Sequence, residues 1–124
     1  MFNIIVFQIK VGISLGDPNG IGAELIIKTF TNQQMFRHCT PIIYGSAKTI
    51  SFYKKVLGYN SFEFHKTNSA DNAKTKQLNI IDCWSETAEI KMGQASREAG
   101  GYAIKALESA TKDLKSGKVN CLVT

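Results

Sequence analysis

The sequence predicts an α/β fold with three layers: a mainly parallel sheet with helices on both faces. Three observations carry that prediction. Short runs rich in Ile, Val and Phe alternate with longer segments whose apolar residues recur at helical spacing. Strands that alternate with helices imply crossover connections and a parallel sheet. The chain has 124 residues, 44% of them hydrophobic and 20% charged, which suits one compact domain around one core.

The first run, residues 4–15, is a buried strand that breaks at Gly16-Asp17-Pro18-Asn19-Gly20. Residues 21–30 follow as a helix, with Ile21, Leu25 and Thr29 on one face and Ile26 and Phe30 beside them. Residues 40–44 read as a second strand, opened by Pro41 and closed by Gly45. Ser46 is a natural N-cap for a helix that runs to Leu57 and stops at Gly58, with Ile50, Tyr53 and Leu57 on its apolar side. Residues 62–64 and 78–81 read as two short strands, and the polar stretch 66–76 between them as a mobile surface loop. The longest helix is expected to start near Gln94 or Ser96 and to end before Ser116-Gly117. Its narrow apolar face consists of Ala99, Ala103, Ala106, Leu107, Ala110 and Leu114. Gly100 and Gly101 lie inside it, each at a cost of about 1 kcal/mol relative to Ala, so close packing against another backbone element is expected there. Residues 119–124 form a last strand of the buried type.

Composition narrows the function classes. The formal charge of +5 comes from 15 Lys and Arg against 10 Asp and Glu, but the basic residues are scattered. A nucleic-acid surface needs them clustered on one face, so no nucleic-acid partner is expected. Cys39, Cys83 and Cys121 are odd in number and far apart. This argues against a disulfide framework or a zinc knuckle and for reduced thiols in a cytoplasmic protein. The apolar start lacks a preceding basic residue, is interrupted by Lys10, and is too short to span a bilayer. Neither a signal peptide nor a membrane partner is expected. His38 and His65 lie far apart without Asp or Glu at metal spacing, and read as ordinary exposed histidines. No metal-ligating or catalytic residue is assigned.

The informative stretch is Gly16-Asp17-Pro18-Asn19-Gly20-Ile21-Gly22-Ala23-Glu24, between the first strand and the first helix. In parallel sheets ligands bind beyond the carboxyl ends of the strands. Gly20 and Gly22 let a ligand or a neighbouring strand approach the backbone. Free amides at a helix start favour an anion, although Asp17 or Asn19 can instead cap them internally. The spacing fits neither the dinucleotide fingerprint nor the P-loop. By physics alone a plain turn and a ligand-facing loop remain equally open.

The segment from Val11 to Glu24 resembles the opening of the 4-hydroxythreonine-4-phosphate dehydrogenase family, which typically reads Gly-Asp-Pro-Ala-Gly-Ile-Gly-Pro-Glu. Asn19 stands where Ala is usual and Ala23 where Pro is usual. Pro41-Ile-Ile-Tyr-Gly-Ser46, Gly93-Gln-Ala-Ser-Arg-Glu-Ala-Gly-Gly-Tyr-Ala103 and Cys121-Leu-Val-Thr124 are similar to further family segments in the same order.

The resemblance implies that residues 1–124 are the N-terminal portion, ending after a core strand, of a two-domain fold like that of isopropylmalate dehydrogenase. It implies a cytoplasmic homodimer that oxidises and decarboxylates a phosphorylated small molecule, 4-phosphooxy-L-threonine, in pyridoxal phosphate biosynthesis. NAD or NADP and a divalent metal (Zn, Mg or Co) would serve the complete enzyme, with none expected to bind tightly to this chain alone. The family's three metal-binding histidines and its substrate-binding residues fall outside the matched segments. The positions carried over are therefore a cofactor-binding loop of Asp17, Asn19, Gly20 and Gly22. Two other readings stand beside this one: a non-catalytic α/β module that binds a phosphorylated ligand, and a fragment of a phosphate acyltransferase-like enzyme.

Overall fold

The computed structural model describes residues 8–124. Five strands form one sheet in the order β3-β4-β2-β1-β5, and every neighbouring pair is parallel. They are β1 (Ile9–Ser14), β2 (Cys39–Gly45), β3 (His65–Thr67), β4 (Asn79–Asp82) and β5 (Cys121–Val123). The helices are α1 (Gly22–Phe30), α2 (Ala47–Leu57) and α3 (Arg97–Lys115). The expected three-layer parallel architecture is present. The first strand lies inside the sheet, between β2 and β5, with β2 at the centre. Residues 4–7 of the expected first strand fall outside the described residues.

Strand alternation divides the core. Ile13, Ile43 and Ile80 stand in register across β1, β2 and β4 and meet Ile26, Ile27, Ile50 and Tyr53 of α1 and α2. Their sequence neighbours Ile42, Tyr44 and Ile81 point to the opposite face, where they pack with Ala110 of α3 and with Val119. Helices thus cover both faces.

The helix boundaries follow their caps. The side chains of Ser46 and Ser96 accept hydrogen bonds from the N–H groups of Thr49 and Ala99. Gly58 ends α2 in the left-handed conformation at φ +79°, and its N–H returns to the last helical carbonyls.

Several expectations need correction. Residues 62–64 are not a strand, because the Phe62 N–H is used in a turn to the Tyr59 carbonyl; pairing with β4 begins at His65. Residues 66–76 are not one surface loop. They include part of β3 and a 3-10 turn, Ala70–Asn72, whose Ala70 is fully buried against the sheet. The stretch is closed by Asn79, also fully buried. Its Oδ1 accepts from the Lys74 N–H, and its Nδ2 lies within 3.1 Å of the carbonyl oxygens of Pro41, Lys74 and Gln77. The last strand is not buried: among the described residues β5 pairs with β1 alone, and Cys121 and Val123 are exposed. On α1 the buried side is Ala23, Ile26, Ile27 and Phe30, while Ile21, Leu25 and Thr29 face outward. On α3 Tyr102 joins Ala99, Ala106 and Ala110 inside, and Leu107 is exposed. Gly100 and Gly101 are not packed closely: among the described residues a methyl group on either would meet nothing within 4 Å beyond the adjoining backbone of its own helix.

Candidate functional site

The 16–22 loop leaves the carboxyl end of β1 and delivers the chain into α1. Three groups of contacts hold it. Leu15, at its base, donates its N–H to the Tyr44 carbonyl and packs its side chain over Gly45, where a Cβ would come within 2.6 Å of it. Gly22 sits on the same residue: a Cβ at Gly22 would lie 2.3 Å from the Leu15 carbonyl oxygen. That glycine is required by the fold itself. From α2, the Tyr53 hydroxyl donates to the Pro18 carbonyl at 2.6 Å, and burial raises the Tyr53 pKa with help from the nearby Asp17 and Glu24 carboxylates. The third group runs through Asn19.

Asp17 folds back on its own turn. One carboxylate oxygen accepts the Asn19 N–H at 2.8 Å, and its carbonyl accepts the Gly20 N–H at 2.9 Å. Asn19 is 4% exposed. Its Oδ1 accepts the Lys91 N–H at 2.8 Å, its Nδ2 donates to the Gln94 carbonyl at 3.0 Å, and its carbonyl accepts the Gly93 N–H at 2.7 Å. Glu24 turns along α1 and pairs with Lys28. The N-cap position, Ile21, supplies no side-chain cap. Among the described residues no acceptor takes the N–H groups of Gly22, Ala23 and Glu24.

The structure brings Asp17, Asn19, Gly20 and Gly22 together in this one loop. Beside it runs an open cleft of about 610 Å³, floored by Ile13, Leu15 and Val123 and walled by Ile21 and Leu25, with Ser14, Asp17 and Thr124 on its rim. The Ser14 hydroxyl donates to that of Thr124 at 2.7 Å. Sequence reasoning missed two parts of the arrangement. Tyr53 was read only as an apolar helix position, although a buried tyrosine hydroxyl needs a partner and so announces one. The Lys91–Gln94 turn carried no local signal, because its partner is more than seventy residues away.

Elsewhere the structure offers less chemistry. His38 is exposed, and His65 lies at the β3 edge. Among the described residues no three His, Cys, Asp or Glu side chains gather as metal ligands. All three cysteines are free, and burial pushes the Cys39 and Cys83 thiols up, away from the reactive thiolate. Among the described residues no helix is long and apolar enough to cross a membrane.

Comparison with known proteins places this architecture. The chain is 36% identical over 117 residues to a 4-hydroxythreonine-4-phosphate dehydrogenase of Bacteroides thetaiotaomicron, covering 94% of this chain and 32% of that protein. A 4-hydroxythreonine-4-phosphate dehydrogenase of Sulfurihydrogenibium sp. is 31% identical over 119 residues, covering 94% and 35%. This chain therefore spans about a third of the length of these relatives. A crystal structure of a 4-hydroxythreonine-4-phosphate dehydrogenase from Burkholderia phymatum superposes with a TM-score of 0.85 at 24% identity, covering 94% of this chain and 36% of the other, and establishes the shared fold. The family profile described as pyridoxal phosphate biosynthetic protein PdxA matches residues 37–124. With most of the chain matched by that profile and the same fold in a solved relative, this chain belongs to the PdxA family.

Proposed function

We propose that this chain is the N-terminal portion of an NAD(P)-dependent oxidoreductase that oxidises and decarboxylates 4-phosphooxy-L-threonine in pyridoxal phosphate biosynthesis. The observation that carries the reading is the first loop: it lies at the carboxyl end of an interior parallel strand and leads into a helix whose first N–H groups find no acceptor among the described residues. Such a helix start favours an anionic group, and the pyrophosphate of a dinucleotide is one. Asp17, Asn19, Gly20 and Gly22 form the part of the cofactor site that this chain supplies. Gly20 leaves the backbone open to approach, the second Asp17 oxygen is available to a ligand hydroxyl, and Asn19 and Gly22 keep the loop in place.

The chemistry asks for more than this loop. Hydride transfer with decarboxylation needs a positioned nicotinamide, a grip on the substrate phosphate and, in this family, a divalent metal. The described residues do not fit a metal site; the resemblance places its ligands in parts of the family beyond the matched segments. The complete protein is read as a cytoplasmic homodimer of two-domain subunits, a reading supported by the family resemblance and by the three unpaired cysteines. A relative from Clostridium botulinum, 28% identical over 119 residues, carries the provisional name D-threonate 4-phosphate dehydrogenase, which favours a second substrate for the same chemistry.

The test is NAD(P) reduction by the complete protein, of which this chain is read as the N-terminal portion, with each of the two phosphorylated substrates. Turnover with 4-phosphooxy-L-threonine supports the reading, preference for D-threonate 4-phosphate moves the substrate assignment, and turnover with neither overturns it. Gly20→Val should then lower turnover while leaving the fold intact, because a branched side chain blocks approach to the backbone. Unchanged kinetics in a folded Gly20→Val protein would reduce the loop to a turn.

A further inference from the structure

We infer that Asn19 is a positioning residue that fixes the first loop, the part of the cofactor site this chain supplies, by clamping it to the Lys91–Gln94 turn, without itself touching the ligand. The inference rests on the dehydrogenase reading above and deepens it. Asn19 has spent its polar groups. Its N–H goes to Asp17, its Oδ1 and carbonyl take the N–H groups of Lys91 and Gly93, and its Nδ2 goes to the Gln94 carbonyl. At 4% exposure there is no open side for a ligand to reach.

The turn it holds lies in residues 83–96, a stretch without helix or strand between β4 and α3. Residues 91–95 are exposed throughout. Within the turn, one further bond, from the Gln94 N–H to the Lys91 carbonyl, closes it upon itself. The contacts to Asn19 thus tie the turn by hydrogen bonds to the first loop, while Ile90, just before it, packs against the core. Conversely, the loop leans on the turn: among the described residues the other hydrogen bonds to residues 17–20 come from the Tyr53 hydroxyl and from within the loop, with the buried Pro18 ring packed beneath. Alanine at position 19 removes two of the three cross-links and leaves the Lys91 N–H and the Gln94 carbonyl to solvent. Aspartate is the informative second variant. Protonated, its carboxyl group can accept from Lys91 and donate to Gln94 as the amide does; ionised, it has no donor and sets a negative charge against the Gln94 carbonyl.

The experiment combines amide hydrogen exchange with NAD titration and steady-state kinetics on the full chain and on its Asn19→Ala and Asn19→Asp variants. In Asn19→Ala, protection of the Lys91 and Gly93 amides should fall at least tenfold while β2 amides are unchanged. The KM for NAD should rise severalfold with a smaller change in kcat. In Asn19→Asp, after correction for intrinsic exchange, protection and NAD affinity should both return as pH falls through the carboxyl pKa. Unchanged protection at Lys91 and Gly93 would overturn the clamp. Lost protection with unchanged KM, or an aspartate variant with no pH-dependent recovery, would reduce it to a fold contact and overturn the positioning role. A complete, unsubstituted protein that binds no NAD would defeat the dehydrogenase reading, and the positioning role with it, whereas the exchange data would still report on the clamp by itself.

Discussion

Gly20 and Gly22 stand two positions apart in one loop, yet their surroundings assign them different work. A Cβ at Gly22 would meet the Leu15 carbonyl at 2.3 Å, and Leu15 is buried and bonded through its N–H to Tyr44, so the backbone has little room to yield. Gly22→Ala should therefore lower folding stability by about 1–3 kcal/mol, the usual range for overpacking, read as a reduced denaturation midpoint. At Gly20 the nearest atom, the Asp17 carbonyl oxygen, would be 3.3 Å away, a tight contact that a shift of a few tenths of an ångström relieves, so a substitution there tests access to the loop at a smaller cost in stability than at Gly22. If Gly22→Ala were as stable as the parent, the account of the loop's packing would fail. A second residue-scale prediction concerns alkali. Tyr44 is buried and donates to an Asp113 carboxylate oxygen at 2.7 Å, and burial together with that carboxylate raises its pKa well above the ordinary range. The folded form holds the phenolic proton more tightly than the unfolded chain does. Its contribution is complete below the unfolded pKa of about 10 and is lost as pH rises above that value. Tyr53, raised by burial in the same direction, adds to the loss. Tyr44→Phe should flatten the fall in stability above pH about 10 while costing about 1 kcal/mol at neutral pH. Denaturant titrations at neutral and alkaline pH measure both, and an unaltered alkaline slope in the variant would count against the assignment.

The elements were legible where the signal was local. Ser46, Ser96 and Gly58 mark helix ends because a cap uses residues adjacent in sequence, and each lies where the caps placed it. The sequence also located the loop at the carboxyl end of β1, since alternating strands and helices leave few topologies open. What was not legible is which side of an apolar segment a neighbour covers. The periodicity of α1 put Ile21 with the apolar residues, but the sheet lies under Ile26 and Ile27, and Ile21 faces out. Asn19 shows the same limit within the site: a βα-turn asparagine reads as a cap or a ligand contact, and its partners at positions 91–94 become visible only in three dimensions. Gly100 and Gly101 give the clearest test at this scale. Both are inside α3, and among the described residues no atom outside the adjoining helix backbone lies within 4 Å of an added Cβ. Alanine at either position should stabilise the chain by about 0.4–1 kcal/mol through reduced freedom of the unfolded state, seen as a raised thermal midpoint. A lowered midpoint in the full chain would mean instead that this helix face is contacted there.

At the scale of the whole molecule the two sides of the sheet differ in how completely they are covered. Toward β5, Val123 is 54% exposed, and across the cleft Ile21 and Leu25 of α1 are 67% and 55% exposed. These residues line one continuous groove with Val11 and Ile13. Contiguous apolar patches on a folded chain mark surfaces that a partner or another segment covers, or else surfaces that drive association. The matched relatives are about three times as long as this chain. The 124-residue polypeptide should accordingly bind a hydrophobic dye in its folded state and associate as its concentration rises. Leu25→Gln combined with Val123→Thr should weaken both effects without lowering the thermal midpoint, because neither side chain belongs to the buried clusters. Dye fluorescence across a thermal ramp, with sedimentation at several concentrations, measures this directly. A monomer that binds no dye while folded would show that the groove is too shallow or too polar at its rim to act as an apolar surface. Dye binding unaffected by the double substitution would place the exposed surface elsewhere, with the outward face of α3 around Ile104 and Leu107 the next to examine.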